Sequence, residues 1–116
     1  MRSTVVVTAA LLGLVVACGG DNGTNVTADV TVGSGGNTFN PQTLTLSTKR
    51  AVTWTWAGPN HNVTWEDGAT ASATQSSGSF RRDFTSATAG TYRYRCTVHS
   101  SPGNFTSGMV GSVVVP

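Results

Sequence analysis

Residues Tyr92 to Val115 of the 116-residue chain read YRYRCTVHSSPGNFTSGMVGSVVV. Two alternating runs flank a loop built from Ser, Pro, Gly and Asn. In the first run Tyr92, Tyr94 and Cys96 take one face while Arg93 and Arg95 take the other, the period of two of a half-buried strand. In the second, Val110 to Val115 predicts the last strand of the domain. A thiol, an imidazole three residues later and a thioether just before the closing strand therefore gather where one strand ends and another begins.

Upstream, the same short alternation recurs between turn residues, which predicts an all-β sandwich. Asp29 to Val32 forms the first strand, closed by Gly33-Ser34-Gly35-Gly36. Phe39-Asn40-Pro41 turns the chain into Thr43-Leu44-Thr45-Leu46. Val52, Trp54 and Trp56 share an inward face. After the turn Gly58-Pro59-Asn60, His61, Val63 and Trp65 share another, at the start of a further strand. Asp67 to Ser79 is polar and predicts little regular structure, Phe80 and Phe84 flank a short strand, and Ala89-Gly90 turns into the run that ends at Cys96. Lys49-Arg50 and Arg81-Arg82 read as solvated strand ends. No stretch has a useful helical period, and there are no repeats.

The N-terminus belongs to export rather than to the fold. MRSTVVVTAALLGLVVAC has a cationic start and an apolar run from Val5 to Ala17, too short for the ~20 residues a membrane-spanning helix needs. The ending Leu14 to Cys18 is similar to a bacterial lipoprotein box, which makes residues 1–17 a signal peptide and Cys18 a lipidated first residue. The alternative is an ordinary signal peptide that leaves Cys18 as a stray thiol or disulfide partner. Residues 18–28 read as the lipidated Cys and a flexible Gly- and Asn-rich tether, and 29–116 as one folded domain. Its formal charge of +2 comes without any Lys/Arg run, which argues against nucleic acid as a partner. There are just two Cys. With Cys18 lipidated, Cys96 is a lone thiol in an oxidising compartment, a liability unless something occupies it.

The two His of the chain supply that occupant with ligands. Cys96, His99, His61 and Met109 offer one thiolate, two imidazoles and a thioether, the trigonal His₂Cys set with a weak axial Met that defines blue-copper centres. Zinc is the competing metal, since His₂Cys is also an open zinc site. Zinc hydrolysis would call for a carboxylate base. Glu66 and Asp67 are the candidates near His61, and their turn directs them to solvent.

Three motifs carry a resemblance across Asp29 to Pro116: TFNPQTLTL, HNV at His61, and YRYRCTVHS with GMVGSVVV. The domain resembles a small cupredoxin of the plastocyanin, pseudoazurin and azurin type. That resemblance implies a Greek-key β-sandwich with one type 1 copper ion held by His61, Cys96, His99 and Met109. It also implies that Asn62 and Thr97 hydrogen-bond to tie the ligand loops together. Relatives place the Met within a few residues of the second His, whereas nine residues, Ser100 to Gly108, intervene here. Met109 could instead pack as core and leave the axial position to a backbone carbonyl or water.

The function expected is that of a membrane-anchored, monomeric one-electron carrier in the periplasm or at the outer cell surface. Its partners are redox proteins met through the edge of His99, with Pro102 and Phe105 on the docking face. Copper delivery or storage without electron transfer uses the same ligands, and a metal-free adhesion sandwich would need Cys96 inert. Copper enzymes need further His-rich sites, so an enzyme is not expected.

Overall fold

In the computed structural model, the structure describes residues 28–116. The expected signal peptide, Cys18 and most of the tether lie outside the described residues. Eight strands follow one another: β1 (Val30–Val32), β2 (Phe39–Asn40), β3 (Thr43–Thr45), β4 (Ala51–Trp56), β5 (Thr64–Trp65), β6 (Ser79–Asp83), β7 (Gly90–Arg95) and β8 (Val110–Val115). They form two four-stranded sheets, ordered β2-β1-β4-β6 and β3-β8-β7-β5. β1 runs parallel to β4 and β3 parallel to β8, while the remaining pairings are antiparallel.

Alternation puts one face of each sheet into a shared core. Val52, Trp54 and Trp56 of β4 are buried, and Val113 and Val115 of β8 meet them with Tyr94 from β7. The centre is aromatic. Trp54 packs edge-on against Trp65 at 5.4 Å and against Tyr94 at 5.5 Å, and Phe39 meets Tyr94 at 4.7 Å. Such edge-to-face pairs add about 0.5–1.5 kcal/mol each beyond the area they bury. Tyr94 needs room across the sheet, and its register partner on β8 is Gly111. A Cβ there would stand 2.5 Å from both Cζ and Oη of Tyr94, so the glycine is a packing requirement.

Two expectations need correction. The strand expected to start at His61 begins only at Thr64; His61 instead makes an isolated antiparallel bridge to Gln75. Asn62 and Val63 fall outside the ladder because the Asn62 side chain and the Ser72 hydroxyl take over the hydrogen bonding there. Arg82 is not a solvated strand end. Its guanidinium sits 4.2 Å from the Trp65 ring and 4.7 Å from Phe84, and Nη2 donates to Asp67 Oδ2 at 2.7 Å. In β6, Phe80 and Arg82 are the half-buried positions, so the two-residue period that turns Phe80 inward carries Arg82 with it. Glu66 and Asp67 reach solvent as expected, each in an ion pair, with Arg93 and Arg82 respectively.

Candidate metal centre

Cys96 follows the last residue of β7 and is fully buried. Its N–H donates to the Met109 carbonyl at 2.9 Å, which extends the β7–β8 ladder one pair beyond Arg95 and Val110. Two more bonds close the connection at its base: His99 N–H to the Cys96 carbonyl at 3.3 Å, and Met109 N–H to the His99 carbonyl at 3.1 Å. The nine-residue insert therefore bulges outward without displacing the residue that follows it. Met109 is 2% exposed, and its backbone bonds to both Cys96 and His99. Gly108 makes the turn possible. Its φ is +83°, and a Cβ would come within 2.9 Å of the His99 carbonyl oxygen.

His61 arrives from the opposite sheet's connections. Its N–H donates to the Gln75 carbonyl at 3.1 Å, its carbonyl accepts from Gln75 N–H at 3.0 Å and from Trp56 Nε1 at 2.8 Å. Behind the ring lies Gly33, at φ +78°. A Cβ on Gly33 would fall 2.6 Å from His61 Cδ2 and 2.7 Å from Nε2. Backbone thus holds one side of the imidazole while Nδ1 faces the other two ligand candidates.

The three donor atoms converge. His61 Nδ1 and His99 Nδ1 are 3.2 Å apart, and Cys96 Sγ lies 3.9 Å from the first and 3.6 Å from the second. The circle through three such points has a radius of about 2.1 Å, which is close to the ~2.0–2.1 Å bond a first-row divalent ion makes to imidazole nitrogen. His61, Cys96 and His99 would together hold one such ion. Burial, and then the neighbouring charge of His99, lower the pKa of His61 below its ordinary 6.5. That keeps its ring neutral and available as a ligand. A soft thiolate with two imidazoles suits copper, and these residues fit it.

Asn62 sets the spacing between the two ligand-bearing connections. Its Oδ1 accepts from Thr97 N–H at 3.0 Å and Thr64 Oγ1 at 3.1 Å; its Nδ2 donates to Thr97 Oγ1 at 2.7 Å and Thr74 Oγ1 at 2.8 Å. Both donors and both acceptor positions of the amide are filled, in a side chain only 4% exposed. Residue 62 follows one candidate ligand and residue 97 follows another, so this amide links the His61 and Cys96 segments directly.

Four neighbours escaped the sequence reading: Gly33 behind His61, Trp56 on its carbonyl, and Arg95 with Ser100 beside Cys96. Arg95 Nη1 donates to Ser100 Oγ at 3.0 Å, and that hydroxyl donates in turn to the Cys96 carbonyl. Alternation had placed Arg95 in solvent, and only the fold of the insert brings Ser100 back to it. Gly33 had one faint signal, a place in the Gly-rich turn that closes β1.

Comparison with known proteins points to the same metal. A sequence profile described as copper-binding proteins of the plastocyanin/azurin family matches residues 26–116. No curated protein sequence matches the chain. Among solved structures, the oxidised plastocyanin of Dryopteris crassirhizoma is 27% identical, with a TM-score of 0.56 over 75% of this chain and 98% of that one. An oxidised amicyanin mutant is 28% identical, with a TM-score of 0.55 over 75% and 79%. A purple cupredoxin from Nitrosopumilus maritimus shares the fold at 22% identity, with a TM-score of 0.60 over 78% of this chain and all of that one.

Proposed function

The chain belongs to the copper-binding plastocyanin/azurin family, and from that premise we propose that it is a one-electron carrier tethered outside the cytoplasmic membrane. The observation that carries the proposal is the donor triangle: His61 Nδ1, Cys96 Sγ and His99 Nδ1 stand at the separations one shared ion requires. Met109 completes the proposed ligand set from the closing loop. Copper, when bound, supplies a one-electron couple.

The protein's part is to keep its ligands still and its redox edge accessible. Asn62 and Thr97 lock two ligand segments together, and Gly33, Gln75 and Trp56 fix His61. A frame that moves little between oxidation states exchanges electrons with little reorganisation. His61 and Cys96 are buried, whereas His99 is half-buried. The exposed edge of His99 is accordingly the proposed electron port, with Val98 at 51% exposed beside it. A redox protein with a small apolar face fits this end, and the formal charge of +2 argues against strong electrostatic steering. Lipidation of Cys18 would tether the monomer through residues 18–28 to a membrane on its outer side.

Voltammetry of the copper-loaded protein tests the carrier role. A reversible one-electron wave, lost in Cys96→Ser, is expected. Tight copper binding with no reversible wave would reassign the chain to copper delivery or storage. Fatty-acid labelling of the expressed full chain, lost in Cys18→Ala, tests the tether.

A further inference from the structure

Arg95 ends β7, one residue before Cys96 and on the opposite face of the strand. Such a position ordinarily leaves an arginine in water. Here the guanidinium turns onto the insert: Nη1 donates to Ser100 Oγ at 3.0 Å and to the Ser101 carbonyl at 3.2 Å, and the group lies 5.5 Å from the centre of the Phe105 ring. Ser100 follows His99 directly. Its hydroxyl accepts from Arg95 and donates to the Cys96 carbonyl, so a continuous chain runs from guanidinium to hydroxyl to the backbone of the thiol. On its other side Ser100 is hemmed by Gly108, where a Cβ would come within 3.3 Å of Ser100 Cα and Cβ.

We propose that Arg95 is a positioning residue for the metal centre, clamping the His99-to-Met109 loop through Ser100 and holding a fixed positive charge beside Cys96. The inference rests on the copper reading above. An insert of this length could drift, and with it both His99 and Met109. Arg95 prevents that by fixing Ser100 and Ser101 at its start, while Asn104 fixes its far half by accepting from Thr106 and Ser107 N–H groups at 2.9 and 3.0 Å. The charge has its own effect. A site that gains a positive charge on oxidation is disfavoured in that state by a neighbouring cation, so Arg95 raises the reduction potential.

The test uses Arg95→Gln, Arg95→Lys and Ser100→Ala in the full chain, with two readouts. In metal-free protein, hydrogen exchange at the Met109 amide, which bonds the His99 carbonyl, is expected to be about tenfold faster in all three variants, since each breaks the Arg95–Ser100 link. In copper-loaded protein, Arg95→Gln is expected to lower the potential by about a threefold change in the oxidised-to-reduced ratio, close to 30 mV at 59 mV per tenfold. Arg95→Lys keeps the charge but not the planar fork, and should restore the potential without restoring slow exchange. An unchanged potential in Arg95→Gln, or an unchanged Met109 exchange rate in Ser100→Ala and Arg95→Lys, would overturn the proposal. A wild-type chain that takes up no copper would refute the function proposed above, while the exchange measurements would still decide the clamp.

Discussion

Gly33 and Gly35 lie two residues apart in one turn and share a φ of +78°, yet their surroundings differ entirely. An alanine Cβ at Gly35 meets nothing within 4 Å, whereas at Gly33 it meets His61 Cδ2 at 2.6 Å, Nε2 at 2.7 Å and Gly58 Cα at 3.3 Å. Carbon atoms sit comfortably at ~3.5–4.0 Å, so the ring stands about 1 Å too close. It has no free retreat, because Nδ1 on its far side is already 3.2 Å from His99 Nδ1. Both substitutions carry the left-handed backbone penalty of roughly 1–2 kcal/mol. Gly33→Ala adds an overpacking term of about 1–3 kcal/mol, which takes its total to roughly 2–5 kcal/mol. Against a domain stability of ~5–15 kcal/mol that difference is easily resolved. Urea unfolding of the metal-free protein should place Gly33→Ala at least ~1 kcal/mol below Gly35→Ala, and copper affinity should fall only in the former. Equal midpoints for the two variants, with equal copper binding, would refute the claim that Gly33 backs His61.

Asn62→Ala strands the Thr97 N–H and three hydroxyl partners at once, and is expected to lose about 1–3 kcal/mol or more in denaturant unfolding. Gly111→Ala drives a methyl into the Tyr94 ring and should lower stability by about 1–3 kcal/mol, while leaving the donor atoms of the metal centre in place. Arg82 donates to Asp67 and holds its carboxyl below the usual aspartate range. The folded-state pKa is depressed, so this contribution is present above the unfolded value of 3.8 and is lost as pH falls through the folded one. Acid unfolding of the wild type should therefore show a stability loss below pH ~4 that shrinks in Arg82→Met, in which Asp67 lacks its partner.

The alternating strands were readable because burial on one face imposes a period of two. β4 follows it residue by residue, and β8 does so from Gly111 onward. The convergence of His61, Cys96 and His99 could be anticipated because the chain holds two His, and a lone inward thiol beside one of them has few other uses. His61 was misplaced on a strand because its alternation with Val63 and Trp65 mimics one, while the Asn62 amide in fact supplants the ladder. Arg82 was misread because charge was weighed above register, although Phe80 and Phe84 on either side mark its face. Gly33 reaches the centre through a contact distant in sequence, Trp56 by closing the turn to His61, and Arg95 and Ser100 through a folded insert. No local pattern encodes such contacts.

The central claim is that His61, Cys96 and His99 share one copper ion. X-ray absorption of the copper-loaded protein tests it most directly. One short sulfur contact and two imidazole nitrogens are predicted, with the sulfur contact gone in Cys96→Ser. A copper environment of nitrogen and oxygen alone in the wild-type protein would contradict the account.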